Sequence, residues 1–246
     1  MKKIVFLVML SFVFFCSSRF KIKNDMTALE KFEVCKRMIE NGKYSKAAFE
    51  LSKLRYQLMG TEYAVEVIFQ LSEAYRMNKD YPEALVNYQT ITRDYPNSNY
   101  SSVSQFYVGV CYERMSLKAE LDQDYTIKAQ TSFQDLIDLF PENSYQDSAK
   151  LEIKKINNKL AKKAFLNGKT YYKLNQYPSA EIYFQDVILN YFQTDWIDDS
   201  FYYLALTYLK LDKKEDAKLI LQRVISEYEK GKYYKEAKKK LSEING

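Results

Sequence analysis

The chain has 246 residues, 47% of them hydrophobic, with only 6 Gly and 4 Pro, a balance that suits a continuously folded chain and excludes a disordered one. It contains no histidine, and no Gly-rich phosphate loop or paired-cysteine metal spacing appears, so the usual acid/base and metal chemistry has little to work with; no enzyme activity, metal or cofactor is expected. Lys and Arg number 37 against 32 Asp and Glu, too weak and too mixed an excess for a nucleic-acid binder.

In chain order, Lys2 and Lys3 precede an apolar run from Ile4 to Phe15 that ends at Cys16. Twelve residues are too few to span a bilayer, so residues 1–16 read as an export signal. Cys16 stands where a bacterial lipoprotein signal places its modified cysteine, which predicts lipidation at Cys16 and a polar tether over residues 17–27. Phe14 and Phe15 occupy positions where that signal usually has small residues, so an ordinary cleaved signal and an uncleaved anchor stay open. Cys35 and Cys111 lie in amphipathic helical segments and are expected as buried, unbridged thiols.

From residue 28 the chain repeats itself. Gly42-Lys-Tyr44-Ser-Lys-Ala47, Lys79-Asp-Tyr81-Pro-Glu-Ala84 and Asn175-Gln-Tyr177-Pro-Ser-Ala180 are one pattern, each marking a turn between two helices. Twelve residues before the closing alanine comes a small residue, followed three later by a large one: Cys35 and Met38, Ser72 and Tyr75, Gly168 and Tyr171. Ala205, Tyr208 and Ala217 fit the same frame. Four residues after each alanine lies a bulky residue (Leu51, Tyr88, Phe184, Leu221), and twelve after it Pro96 or its equivalents close the second helix. A third unit fits with Gly109, Tyr112, Ala129, Phe133 and Pro141 if its turn is lengthened by eight residues around Lys118 to Tyr125. Leu151, Ile153, Ile156, Leu160, Ala164 and Phe165 then predict an extended helix into the fourth unit, and the segment from Tyr233 to Ile244 a cap. The expected architecture is an all-α tetratricopeptide-repeat solenoid of about five helix pairs plus a capping helix over residues 28–246, with halves at 28–141 and 142–246.

The offsets are those of the tetratricopeptide repeat. Five repeats after a lipoprotein-like signal, a lengthened third turn, a long helix carrying Leu160-Ala161 before Gly168-Lys-Thr-Tyr171-Tyr172, and ends such as Asp94-Tyr95-Pro96-Asn97-Ser98 and Leu139-Phe140-Pro141-Glu142-Asn143-Ser144 together resemble the BamD family. Phe192 and Glu229 depart from that pattern, where a proline is usual. The resemblance implies a lipid-anchored outer-membrane protein facing the periplasm, a non-enzymatic scaffold of β-barrel assembly. It further implies a BamA-like outer-membrane partner on the C-terminal half, other assembly-machinery subunits, and unfolded β-barrel substrates on the N-terminal half. A YbgF-like envelope adaptor is the alternative, although no coiled-coil heptads precede the repeats here.

An aromatic stands three residues before the small residue of every first helix: Phe32, Phe69, Phe106, Phe165 and Tyr202. Phe32, Phe69 and Phe106 are spaced by 37 residues and are expected in register, as a stripe that either binds hydrophobic peptide or packs between repeats. Lys36, Glu73, Arg76 and Glu113 would border the stripe, either pairing with a peptide or serving as solvated helix charges. Asp195, Asp198 and Asp199 around Trp196 read as helix-capping acids rather than a calcium site. Between Lys230 and Lys240 six lysines face one acid, Glu236; Lys235, Lys238 and Lys239 are the expected contacts of an acidic partner surface, the alternative being a solvated end.

Overall fold

The structure, a computed structural model, describes residues 20–245. The expected signal and Cys16 lie outside the described residues. Among those described are eleven α-helices and no strand. They are α1 (Ala28–Glu40), α2 (Tyr44–Gln57), α3 (Ala64–Met77), α4 (Tyr81–Asp94), α5 (Ser101–Met115), α6 (Asp124–Leu139), α7 (Gln146–Lys173), α8 (Tyr177–Asn190), α9 (Ile197–Lys210), α10 (Lys214–Glu227) and α11 (Tyr234–Asn245). The expected helix pairs are therefore α1/α2, α3/α4, α5/α6, α7/α8 and α9/α10, with α11 as cap. The long helix after Pro141 is α7, of 28 residues.

The chain divides into two compact units. The first holds the chain through Met115 and Thr131–Gln146; the second holds Ser116–Gln130 and the chain from Asp147 on. The inserted turn belongs to the second unit because α7 lysines hold it: Lys159 Nζ donates to Ser116 Oγ at 2.8 Å, and Lys163 Nζ to the Glu120 carbonyl at 2.9 Å.

The first unit begins before α1. Phe20, Ile22 and Met26, within the stretch expected as a polar tether, are half-buried against the first core cluster, because they are its apolar members. Thr27 then caps α1 reciprocally, its Oγ1 accepting from the Glu30 N–H at 3.2 Å while its own N–H donates to Glu30 Oε2 at 2.7 Å. Within this unit each of α1 to α4 packs on the helix that follows it, and α1 also meets α3.

Every turn inside a pair whose sequence fits the unlengthened frame is built alike. One residue, five before the closing alanine, takes a left-handed backbone: Gly42 (φ 72), Lys79 (67), Asn175 (59) and Asp212 (59). Its N–H and that of its successor close a Schellman end, as in Lys79 N–H to Arg76 C=O at 3.0 Å and Asp80 N–H to Tyr75 C=O at 2.9 Å. All five second helices end ten residues after their alanine, at Gln57, Asp94, Leu139, Asn190 and Glu227. The end at Asn190 and that at Glu227 need no proline: the N–H groups of Tyr191 and Tyr228 bond back to Val187 and Val224 just as Tyr95 bonds to Ile91.

The repeat alanines and the bulky residues four later (Leu51, Tyr88, Phe133, Phe184, Leu221) are all fully buried. The small position of the first helix is what admits them. A Cβ on Gly109 would lie 2.7 Å from the Phe133 ring, and one on Gly168 2.6 Å from the Phe184 ring. These rings are buried and cannot swing away. Gly168→Ala should therefore lower stability by about 1–2 kcal/mol, overpacking outweighing the better helix propensity of alanine. Adding Phe184→Leu to Gly168→Ala should relieve that clash, so the two changes should be strongly non-additive in a denaturant double-mutant cycle.

Candidate functional site

The first helices place the aromatic stripe in a 37-residue register within each unit, and the two units carry it differently. In the first unit Phe32 is completely buried, so it presents no ring to a partner. Phe69 and Phe106 are half-buried. Phe69 lies edge-on to Tyr88 with centroids 6.1 Å apart and 4.8 Å from Tyr100, and Phe106 stacks on Tyr145 at 4.8 Å and touches Phe133 at 5.5 Å. In the second unit Phe165 and Tyr202 are buried; Phe165 meets Trp196 at 5.2 Å and Tyr202 stacks on Tyr233 at 4.4 Å.

The repeat frame did not mark these partners. Tyr100, Trp196 and Tyr233 each follow their stripe aromatic by 31 residues, as Tyr63 follows Phe32, and Tyr145 follows Phe106 by 39, the same interval plus the eight-residue insertion. Tyr63 packs into the cluster that holds Phe32. Each is the last residue before a first helix, or before the cap, so the stripe is also the seam between consecutive repeats. The interval of 31 residues, which lands in the turns between pairs, is the sequence signal that marks them.

Each polar residue beside the stripe has a charged partner within 4 Å. Arg76 grips Glu73 with Nε at 3.0 Å and Nη2 at 2.6 Å, and its guanidinium lies 4.2 Å from the centre of the Tyr107 ring. The Tyr88 hydroxyl, inside the core, donates to Glu73 Oε1 and accepts from Arg76 Nε at 3.3 Å. Burial first, then the Glu73 carboxylate, pushes the Tyr88 phenol far above its ordinary range. Burial alone would lower Arg76, but its bonds and charge pairing with Glu73 outweigh that and hold it firmly protonated. Lys36 pairs with Glu33 at 2.5 Å and Glu66 at 3.3 Å and sits 4.9 Å from the Phe32 centroid. Glu113, half-buried, lies 3.5 Å from the exposed Arg114.

In the second unit the position of Lys36 is taken by Lys169, 30 residues before Asp199 as Lys36 is 30 before Glu66. Lys169 hovers 5.4 Å from Phe165 and 5.0 Å from Tyr203. Burial raises the Asp199 carboxyl above its usual range, with Lys232 and Lys169 opposing the shift. Asp198 and Asp199 occupy the first turn of α9, where the helix dipole favours acids, but the residue before that helix, Trp196, makes no side-chain cap. Asp195 serves elsewhere, its Oδ2 accepting from Asn158 Nδ2 at 2.9 Å.

On α11, Ala237 is buried and Leu241 and Ile244 pack inward, while Lys235, Lys238 and Lys239 are exposed. Cys35 and Cys111 are buried and unbridged, and burial pushes both thiols up to about 12. No helix among the described residues is long and apolar enough to cross a membrane.

Consecutive helix pairs, each setting a small residue of its first helix against a buried bulky residue of its second, define a tetratricopeptide-repeat protein. The chain belongs to the YfiO family of outer membrane lipoproteins, whose family model matches residues 24–220. It is 27% identical over 199 residues to the outer membrane protein assembly factor BamD of Rickettsia prowazekii (strain Madrid E), covering 80% of this chain and 78% of that protein. To the BamD of Caulobacter vibrioides it is 24% identical over 180 residues, 73% of this chain and 59% of that one. Among solved structures, the TPR2AB-domain:pHSP90-complex of yeast Sti1 overlaps 82% of this chain and 77% of its own at 15% identity, with a TM-score of 0.44.

Because the Tyr88 phenol ionises far less readily in the folded state than in the unfolded one, its contribution should be fully present below pH ~10 and lost as pH rises further. Tyr88→Phe should cost about 1–2 kcal/mol at neutral pH, through the lost bond to a charged acceptor. The same variant should make the alkaline fall in stability shallower, measured by urea unfolding from pH 8 to 11.

Proposed function

We propose that this protein is a non-enzymatic scaffold of outer-membrane protein assembly, held by a lipid on Cys16 at the periplasmic face of the outer membrane. The observation that carries this reading is the family match over residues 24–220, joined by two relatives named as outer membrane protein assembly factors. The repeat fold fits a scaffold: its side chains build packing surfaces, and the most perturbed groups, Tyr88 and Arg76, are locked in an internal network.

In this proposal unfolded β-barrel segments meet the first unit at the part-exposed rings of Phe69 and Phe106, bordered by Lys36, Glu73, Arg76 and Glu113. Phe32 contributes from within, by packing. A BamA-like outer-membrane partner meets the second unit at Lys235, Lys238 and Lys239, exposed on a cap whose other side is apolar and covered. Apolar rings read alternate side chains of an extended peptide, and exposed lysines speed encounter with an acidic surface.

Detergent extraction of the full chain should bring down a large β-barrel outer-membrane protein together with other assembly subunits. Recovery of cell-wall or division proteins instead would assign it to an envelope adaptor, and Cys16→Ser should release the protein from the outer-membrane fraction. Phe69→Leu with Phe106→Leu, which keeps apolar volume but removes the rings, should weaken binding of a barrel-derived peptide about tenfold, near 1.4 kcal/mol, with a smaller change in Tm. Lys235→Glu, Lys238→Glu and Lys239→Glu together should slow association with the purified partner at low salt and leave helical content unchanged. An association rate equal to wild type at every salt concentration would remove the cap from the interface.

A further inference from the structure

The inserted turn between α5 and α6 does more than lengthen a loop. It lies on α7, and between them, inside the second unit, opens a cleft of about 650 Å³. Lys155, Lys159 and Lys162 line it from one face of α7, at helical spacings of four and three residues, and Lys118 lines it from the turn. Glu120 is the only carboxylate in the wall, and it pairs with Lys162 at 2.8 Å.

Lys155 pairs with Glu152 at 2.7 Å, Lys159 donates to Ser116 Oγ, and the Asp195 carboxylate takes the Asn158 amide. Four lysines line a cleft whose wall carries one acid, Glu120, which is exposed. Ammonium groups gathered this way attract a further anion beyond the single carboxylate that Lys155 and Lys162 each hold. A peptide-binding groove needs apolar pockets for alternate side chains, and here only Ala119 and Trp196 are apolar. Compact ammonium point charges around one small space suit a multivalent oxyanion instead.

We propose that this cleft binds a phosphate group, seated among Lys118, Lys155, Lys159 and Lys162 in place of the Glu120 carboxylate. The group is carried by a free phosphate compound or by an anionic lipid headgroup. The site is independent of the aromatic stripe and of the lysines of α11.

Trp196, the chain's single tryptophan, forms part of the wall and reports on its occupancy. Titration of the full chain with inorganic phosphate, at ionic strength held constant with chloride, should give a saturable change in tryptophan fluorescence. Lys155→Gln with Lys162→Gln should weaken it about tenfold or more, and Glu120→Gln should strengthen it several-fold. Those opposite signs separate the site from general loss of structure, which would weaken both. Flotation of the Cys16→Ser protein, which lacks the lipid, with phosphatidylcholine vesicles, with and without phosphatidylglycerol, distinguishes the sources. A phosphate response without vesicle retention assigns a free phosphate compound. Retention by phosphatidylglycerol that is lost in the Lys155→Gln/Lys162→Gln protein, but kept when Lys235, Lys238 and Lys239 are changed to Gln, assigns a headgroup. No response in either arm, or responses unchanged in the Lys155→Gln/Lys162→Gln protein, overturns the proposal. So does binding of an oligoglutamate peptide with no response to phosphate, which would make the cleft a dock for an acidic protein segment.

Discussion

The contact on which the repeats depend is the approach of one buried bulky side chain to a small residue on the paired helix. Where the small residue is glycine, the ring of Phe133 or Phe184 sits where a Cβ would be, and the two helices lie as close as backbone and ring permit. Two of the other three pairs set Cys35 against Leu51 and Ala205 against Leu221 in common clusters, a smaller knob where the facing residue has a side chain of its own; the third sets Ser72 against Tyr88. Volume is shared across the contact, and that complementarity fixes the rotation of each helix about its axis. Once the rotation is fixed, the aromatic three residues earlier on the first helix has only one direction to face, toward the seam with the next repeat.

At Tyr88 the knob is polar, and its hydroxyl imposes further demands on the helices around it. A phenol in a core position must hand its proton to an acceptor, and Glu73 on the facing helix supplies one. A carboxylate brought so far in needs a cation, and Arg76, one turn further along α3, covers it. The guanidinium is then steadied by the Tyr107 ring of the next repeat, and Tyr107 in turn stacks on Tyr88 at 5.4 Å. One polar atom at a repeat position thus accounts for two charges and a ring, and ties α3, α4 and α5 together. Residues that look on a helical wheel like free charges bordering a groove are partners in this chain of satisfaction.

Much of the fold is legible in the sequence because the repeat writes each constraint several times. The alanines, the knobs, the lengthened third turn, the long helix through Phe165 and the cap all lie where period and offset place them. Two departures from the pattern, Phe192 and Glu229, leave the helix ends in register, since the last-turn hydrogen bonds of Tyr191 and Tyr228 do the terminating that proline only reinforces. The features that could not be read were set by pairwise geometry rather than by period. The left-handed turn positions hold Gly, Lys, Asn and Asp, so residue type does not reveal their shared backbone. The depth of Phe32 against Phe69 and Phe106, equal in spacing, depends on the segment before α1: Phe20, Ile22 and Met26 pack into the first cluster, where a polar tether would have left it open.

The inserted turn extends the same dependence on geometry into electrostatics. As a string of residues, Lys118 to Tyr125 is an acidic and polar loop, and the lysines of α7 are the solvated face of a long helix. Brought together, they become a single arrangement in which three lysines of one helix hold the turn by a hydroxyl, a backbone carbonyl and a carboxylate. Two of those acceptors, the Ser116 hydroxyl and the Glu120 carbonyl, are neutral. Lys162 and the Glu120 carboxylate make the only fully charged contact of the three, and Lys162 holds that carboxyl below its ordinary range. An anion entering there would exchange one charged contact for another and leave the two neutral ones in place. The physical consequence is a cleft whose walls are fixed by neutral hydrogen bonds and whose occupant is chosen by charge, which is the arrangement a binding site needs if it is to admit an anion without coming apart.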